Sequence, residues 1–153
     1  MSYEEKLKEL GLEIPKVPQP VAAYVPGVKV GNLVYTSGQL PMVQGQLQFS
    51  GRLGENLSVE EGYQAARICA LNCLAVVKSL AGSLETVERI VKVTGFVNSA
   101  PDFTQQPQVL NGASELLAQI FGGAGQHARS AVGVNTLPLQ APVEVEIIVK
   151  LRD

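Results

Sequence analysis

Arg129, with the acids Glu144 and Glu146, forms the set best suited to chemistry in this chain. Arg129 opens one β-like run, His127-Ala128-Arg129-Ser130-Ala131-Val132-Gly133-Val134, and the two acids sit near the start of the next, Val143 to Val149. An arginine carries a permanent charge on a planar fork that grips a carboxylate through two parallel hydrogen bonds. A glutamate near it could hold it in an ordinary salt bridge, or could orient water on a bound substrate. Alternation places Glu144 and Glu146 on one strand face and leaves open which of them meets a ligand.

The other polar candidates carry their own plain readings. Ser37-Gly38-Gln39 fits strand-exit chemistry as well as a binding turn. Asn111 sits inside a helical pattern, where Asn is a weak helix former, and could simply face solvent. Tyr24 suits core or rim. His127 is the only histidine, with no serine and aspartate arranged around it in sequence, so a catalytic triad has no support and a structural or rim role fits. Gly122-Gly123-Ala124-Gly125 follows a helix instead of preceding one, so it is a helix exit and not a phosphate loop.

These residues need a scaffold, and the pattern supplies one. Ser2-Tyr3-Glu4-Glu5 and Ser58-Val59-Glu60-Glu61 are capping boxes, predicting a short helix from about Tyr3 to Leu10 and a long one from Ser58 to about Leu80, closed by Gly82. Ala66, Ala70, Cys73 and Val77 mark the long helix's inner face. A second long helix carries Val109, Ala113, Leu116, Leu117, Ile120 and Phe121. Gly31-Asn32 is a two-residue hairpin turn, Ile90 to Val97 is a strand, and Gly45 centres a small ribbon. Pro15, Pro18 and Pro20 make residues 14–20 an extended strap. The order β-β-α-β-α-β-β after the first helix is met by a sheet with both long helices on one face. Its other face should be an apolar oligomer interface.

Composition narrows the function. A chain of 153 residues, 46% apolar and 17% charged, fits a single globular domain over 1–153, with 1–20 as helix and strap. A net charge of −2 and scattered basic residues argue against nucleic acid as a partner. No apolar run approaches the roughly 20 residues of a membrane span, so no membrane partner is expected. Cys69 and Cys73 lie four apart on one helix face, which suits packing better than a disulfide and fits a reduced, cytoplasmic setting. One histidine and two cysteines give no transition-metal site.

Together Tyr24, Gly31-Asn32-Leu33-Val34-Tyr35-Thr36-Ser37-Gly38-Gln39-Leu40-Pro41, Val91-Lys92-Val93-Thr94 with Phe96-Val97, Asp102-Phe103, Ala128-Arg129-Ser130 and Val143-Glu144-Val145-Glu146 resemble the Rid (YjgF-like) family of enamine/imine deaminases, over roughly Val21 to Leu151. The resemblance implies an α+β fold, the chorismate-mutase-like (Bacillus type) sheet with two long helices on one face, here with a short N-terminal helix added. It implies a homotrimer with ligand clefts between subunits, no cofactor and no metal. It assigns the substrate carboxylate to Arg129 and the positioning of the attacking water to Glu144. Tyr24, Ser37, Asn111 and the Ala131 carbonyl join Arg129 in binding. The implied hydrolase reaction converts small 2-imino or enamino acids into 2-oxo acids and ammonia. The alternatives are a trimeric small-carboxylate-binding or regulatory protein without turnover and, against the acidic balance, an endoribonuclease or translation inhibitor. His127 stands where the family usually has Pro or Ala, and Ala131 where a cysteine is common. These departures suggest a divergent branch.

Overall fold

The computed structural model describes residues 1–20 and 22–153, so Val21, where the family resemblance begins, lies outside the described residues. Both capping boxes form. Ser2 Oγ accepts the Glu5 N–H and Glu5 accepts the Ser2 N–H, starting α1 (Tyr3–Glu9). Ser58 and Glu61 make the same exchange at the start of α2 (Val59–Ala81), which ends at Gly82 with φ 88°. Helix α3 (Gln106–Phe121) has Pro107 in its first turn, where a missing N–H costs nothing.

The strands are β1 (Gly27–Val30), β2 (Leu33–Thr36), β3 (Met42–Val43), β4 (Gln46–Leu47), β5 (Val87–Asn98), β6 (Ala128–Val134) and β7 (Val143–Leu151). Five of them form one sheet in the order β1-β2-β7-β5-β6, while β3 and β4 make the small ribbon. Gly31 at φ 60° turns β1 into β2 as the Gly-Asn dipeptide predicts. Pairing is antiparallel except for β5 with β6, which run parallel with α3 as their crossover.

Strict alternation on β7 decides the layering. Val143, Val145, Ile147, Val149 and Leu151 are buried under α2 and α3, and the residues between them turn to the other face. The small side chains of α2 let it lie close to the sheet: the Cys69 and Cys73 thiols donate to the Val143 and Val145 carbonyls at 3.6 and 3.3 Å. By length and mean hydropathy α2 would suffice to cross a membrane, but Gln64, Arg67, Asn72 and Lys78 interrupt its apolar residues and more than half of that stretch is buried in this core. Helix α1 docks beside α3. Leu7 is buried, the Tyr3 ring meets Phe121 edge-on at 4.6 Å, and the Glu85 carboxylate accepts the Tyr3 and Glu4 N–H groups.

The second sheet face is less apolar than expected. Across it run the rows Val132–Phe96–Glu144, Ser130–Thr94–Glu146 and Ala128–Lys92–Ile148–Tyr35–Val28. Apolar and charged residues interleave there, with Val28, Tyr35 and Val132 exposed.

Candidate functional site

The chain separates its candidate residues into two groups. The register decides this: Arg129 lies opposite Val93, which lies opposite Ile147, and both of those are buried under the helices. Arg129 therefore points to the helix side of the sheet. Glu144 lies in the row with Phe96 and Val132 on the other side. The salt bridge between Arg129 and Glu144 or Glu146 that the sequence left open does not form within the chain. No carboxylate lies within 4.0 Å of the Arg129 guanidinium among the described residues.

The first group sits where β6 meets α3. Arg129 Nη1 donates to Asn111 Oδ1 at 2.9 Å and to Ser114 Oγ at 3.2 Å, and Nη2 reaches the Pro107 carbonyl at 3.4 Å. Asn111 thus does not simply face solvent; it accepts from the arginine one helix-to-strand step away. Both Nη1 hydrogens are engaged. The Nε–H and the Nη2 hydrogen parallel to it remain as a side-on fork, the geometry that grips a carboxylate. Ala131, two residues on, shares the Arg129 face and packs on the core edge. Because β6 is an outer strand, one edge of its backbone has no strand partner among the described residues. His127 precedes the strand with Nδ1 2.6 Å from the Gly125 carbonyl and Nε2 2.8 Å from Ser114 Oγ.

The second group lines a cleft of about 940 Å³, which Glu144 enters from the other sheet face. Tyr24, Gly38, Gln39 and Glu144 form one wall. The strap from Glu13 to Pro20 and the ribbon from Met42 to Gly45 form the others. Asn72 holds the ribbon in place from beneath, donating to the Leu40 and Met42 carbonyls at 3.0 and 2.9 Å. Glu144 lines this cleft, and Glu146, two residues along the same face, does not. Partial burial pushes the Glu144 carboxyl above its usual range, and the nearby Glu146 adds to the rise. The absence of a side chain at Gly38 makes room for it, since a Cβ there would collide with the Glu144 Oε2, Cδ and Cγ atoms.

Ser37 is held at the turn. Its hydroxyl donates to the Val25 carbonyl at 2.7 Å, and its N–H to the Pro26 carbonyl. It holds the turn that carries Tyr24, whose ring is exposed. Reasoning from sequence missed Ser114, Gly38 and the strap as parts of the two sites. The spacing of Asn111 and Ser114, three apart on one helix face, was the available signal for the first.

Comparison with known proteins agrees with this architecture. Residues 4–151 match the family described as YjgF/chorismate mutase-like, whose description also carries an endoribonuclease label. Protein TCP17 of Trypanosoma cruzi is 44% identical over 148 residues, covering 96% of this chain and 92% of that protein. A 2-iminobutanoate/2-iminopropanoate deaminase of Dermatophagoides farinae is 34% identical over 142 residues, covering 92% and 95%. The crystal structure of protein Atu1372 from Agrobacterium tumefaciens, of unknown function, matches with a TM-score of 0.90 at 46% identity, over 97% of this chain and 92% of that one. With its mixed sheet, two long helices on one face and family match over nearly its whole length, the chain belongs to the YjgF/chorismate mutase-like (Rid) family.

Proposed function

We propose that the protein is an oligomeric hydrolase of small 2-imino or enamino acids, with each site assembled from two subunits. One subunit supplies Arg129, and its neighbour supplies the cleft of Tyr24, Gly38 and Glu144. The observation that carries this reading is the state of Arg129: Asn111 and Ser114 take both Nη1 hydrogens and leave the Nε/Nη2 edge for a ligand carboxylate. In support, the two halves are complementary. One half offers an arginine with no carboxylate on it among the described residues, and the other a carboxylate raised by burial, so a substrate carboxylate seated on the first leaves the second its basicity. The Dermatophagoides relative is named for such a substrate class.

The chemistry follows from that pairing. The substrate carboxylate seats on Arg129, which fixes the C=N carbon beside Glu144. Glu144 orients a water and takes its proton as the oxygen adds to that carbon, and its raised basicity suits the task. The proton passes to the nitrogen to give the carbinolamine; Glu144 then takes the hydroxyl proton and returns it to the nitrogen as the C=O forms and the C–N bond breaks, and ammonia leaves with a 2-oxo acid. The apolar walls of Pro15, Val17, Leu40 and Met42 suit a short aliphatic side chain. A net charge of −2 with no basic groove works against the ribonuclease reading.

The test is ammonia release from 2-aminoacrylate generated in situ. Wild type should accelerate it and Arg129→Ala should fall to the buffer rate. Wild type at the buffer rate, with 2-oxobutanoate still binding, would leave a carboxylate-binding protein without turnover. No binding of either compound would remove both readings.

A further inference from the structure

Arg129 is held by more than Asn111. His127 Nδ1 lies 2.6 Å from the Gly125 carbonyl oxygen, which can only accept, so the proton is assigned to Nδ1. In the neutral ring Nε2 is then an acceptor, and at 2.8 Å it takes the Ser114 hydroxyl hydrogen. That commitment turns the Ser114 oxygen lone pairs toward Arg129 Nη1 at 3.2 Å. The result is one directed chain, Arg129 to Ser114 to His127 to the Gly125 carbonyl. Every link donates the same way, and each polarises the next. The chain starts on β6, crosses to α3 and closes at the turn that follows α3.

We propose that Ser114 and His127 are positioning residues that set which edge of the Arg129 guanidinium meets the ligand. This rests on the reading that Arg129 binds the substrate carboxylate. With Ser114 oriented by His127, Nη1 is saturated and the side-on Nε/Nη2 edge is the only fork on offer. Without that orientation one Nη1 hydrogen is released and the guanidinium turns between side-on and end-on contact. The pair therefore sets selectivity for a planar carboxylate over groups that accept a single hydrogen bond, such as a primary carboxamide.

The experiment measures binding of 2-oxobutanoate and 2-oxobutanamide to the intact oligomer by calorimetry. Ser114→Ala and His127→Asn should each weaken 2-oxobutanoate about tenfold, the loss of one charge-assisted hydrogen bond, while changing 2-oxobutanamide little. His127→Asn keeps a donor for the Gly125 carbonyl and loses the acceptor for Ser114. The double variant should be no weaker than either single one, because both break the same chain. Ser114→Thr, which restores the hydroxyl, and His127→Gln, which restores the acceptor, should return to within about twofold of wild type. A loss shared equally by acid and amide would reduce the pair to a structural brace and overturn the proposal. So would wild-type acid binding in Ser114→Ala and His127→Asn while Arg129→Ala loses it, in which case the reading of Arg129 stands alone. Wild-type acid binding by Arg129→Ala would instead remove the reading on which the proposal rests.

Discussion

Gly38→Ala tests the Glu144 half of the site with the smallest change available. Gly38 is not among the positive-φ residues, so its backbone admits alanine without conformational strain. The three atoms nearest the added methyl are all side-chain atoms of Glu144. Glu144 is only half buried, so its carboxylate can swing aside into the cleft. The stability cost is therefore at the low end for overpacking, about 1 kcal/mol, which for a chain of this size lowers Tm by roughly 2–4 °C. The catalytic cost is larger. Moving a positioned base by about 1 Å removes on the order of 100-fold in rate, or about 2.7 kcal/mol of barrier. Ammonia release from an imino acid, with Tm and oligomer mass measured on the same preparation, separates the two. The expected result is a kcat loss near 100-fold with a Tm shift of a few degrees, and no further loss on adding Gly38→Ala to Glu144→Gln. A variant with wild-type kcat, or one whose loss adds in full to that of Glu144→Gln, would refute the assignment of Glu144 as the base that Gly38 makes room for.

Two further outcomes follow from burial. The Glu144 carboxyl is raised in the folded chain, so the folded state binds that proton more tightly than the unfolded state. Its stabilising contribution is complete below the unfolded value of about 4.3 and is lost as pH rises through the raised folded value. Glu144→Gln should therefore melt above wild type at neutral pH, with the gap closing on acidification to about pH 4. A gap of the opposite sign would mean that a cation reaches Glu144 in the ligand-free assembly. Burial likewise pushes the Cys73 thiol up to about 12, against the lowering effect of the Thr36 hydroxyl, and raises the Cys69 thiol well above its usual value. At pH 8 only about one Cys73 in 10⁴ is thiolate, so Ellman's reagent should label neither cysteine until guanidinium unfolds the chain. Rapid stoichiometric labelling of the native protein would contradict that burial.

The fold was legible wherever one residue type answers to one geometry. Ser58 with Glu61, Gly82, and Gly31-Asn32 each satisfy a backbone requirement that few residues meet, and each stands where the pattern placed it. The strict alternation of β7 announced its buried face. Strand β6 gave no such signal: Arg129, Ala131 and Gly133 face one way and Ala128, Ser130 and Val132 the other, so neither set is plainly the apolar one. That is why the sequence could not show that Arg129 turns toward α3, or that Asn111 and Ser114 wait there. Gly38 was equally silent, since a glycine chosen for room near a side chain looks like any turn glycine. The strap's prolines revealed its extended shape, but not that it would wall the Glu144 cleft. That contact depends on where α1 docks, a matter of Leu7 and Glu85 at long range.

The separation of the two halves makes the assembled site a matter of counting. β6 and β7 flank β5, and Arg129 lies in the row of Ile147, three residues along from Glu144, so the two stand about 10 Å apart across the strands and about 10 Å along them, on opposite faces of the sheet. No side-chain rotation carries the guanidinium through the backbone layer into its own chain's cleft. If catalysis needs both, Arg129→Ala and Glu144→Gln subunits are each inactive alone, yet each retains the half the other lacks. In an equal mixture a site is whole when its arginine comes from a Glu144→Gln subunit and its cleft from an Arg129→Ala subunit. Random assembly gives each choice a chance of one half, so about a quarter of wild-type activity should return after the two are unfolded together and refolded. Mixing without exchange of subunits should return none. A refolded mixture that stays inactive while its subunits are shown to have exchanged would mean that the two residues do not share a site across subunits.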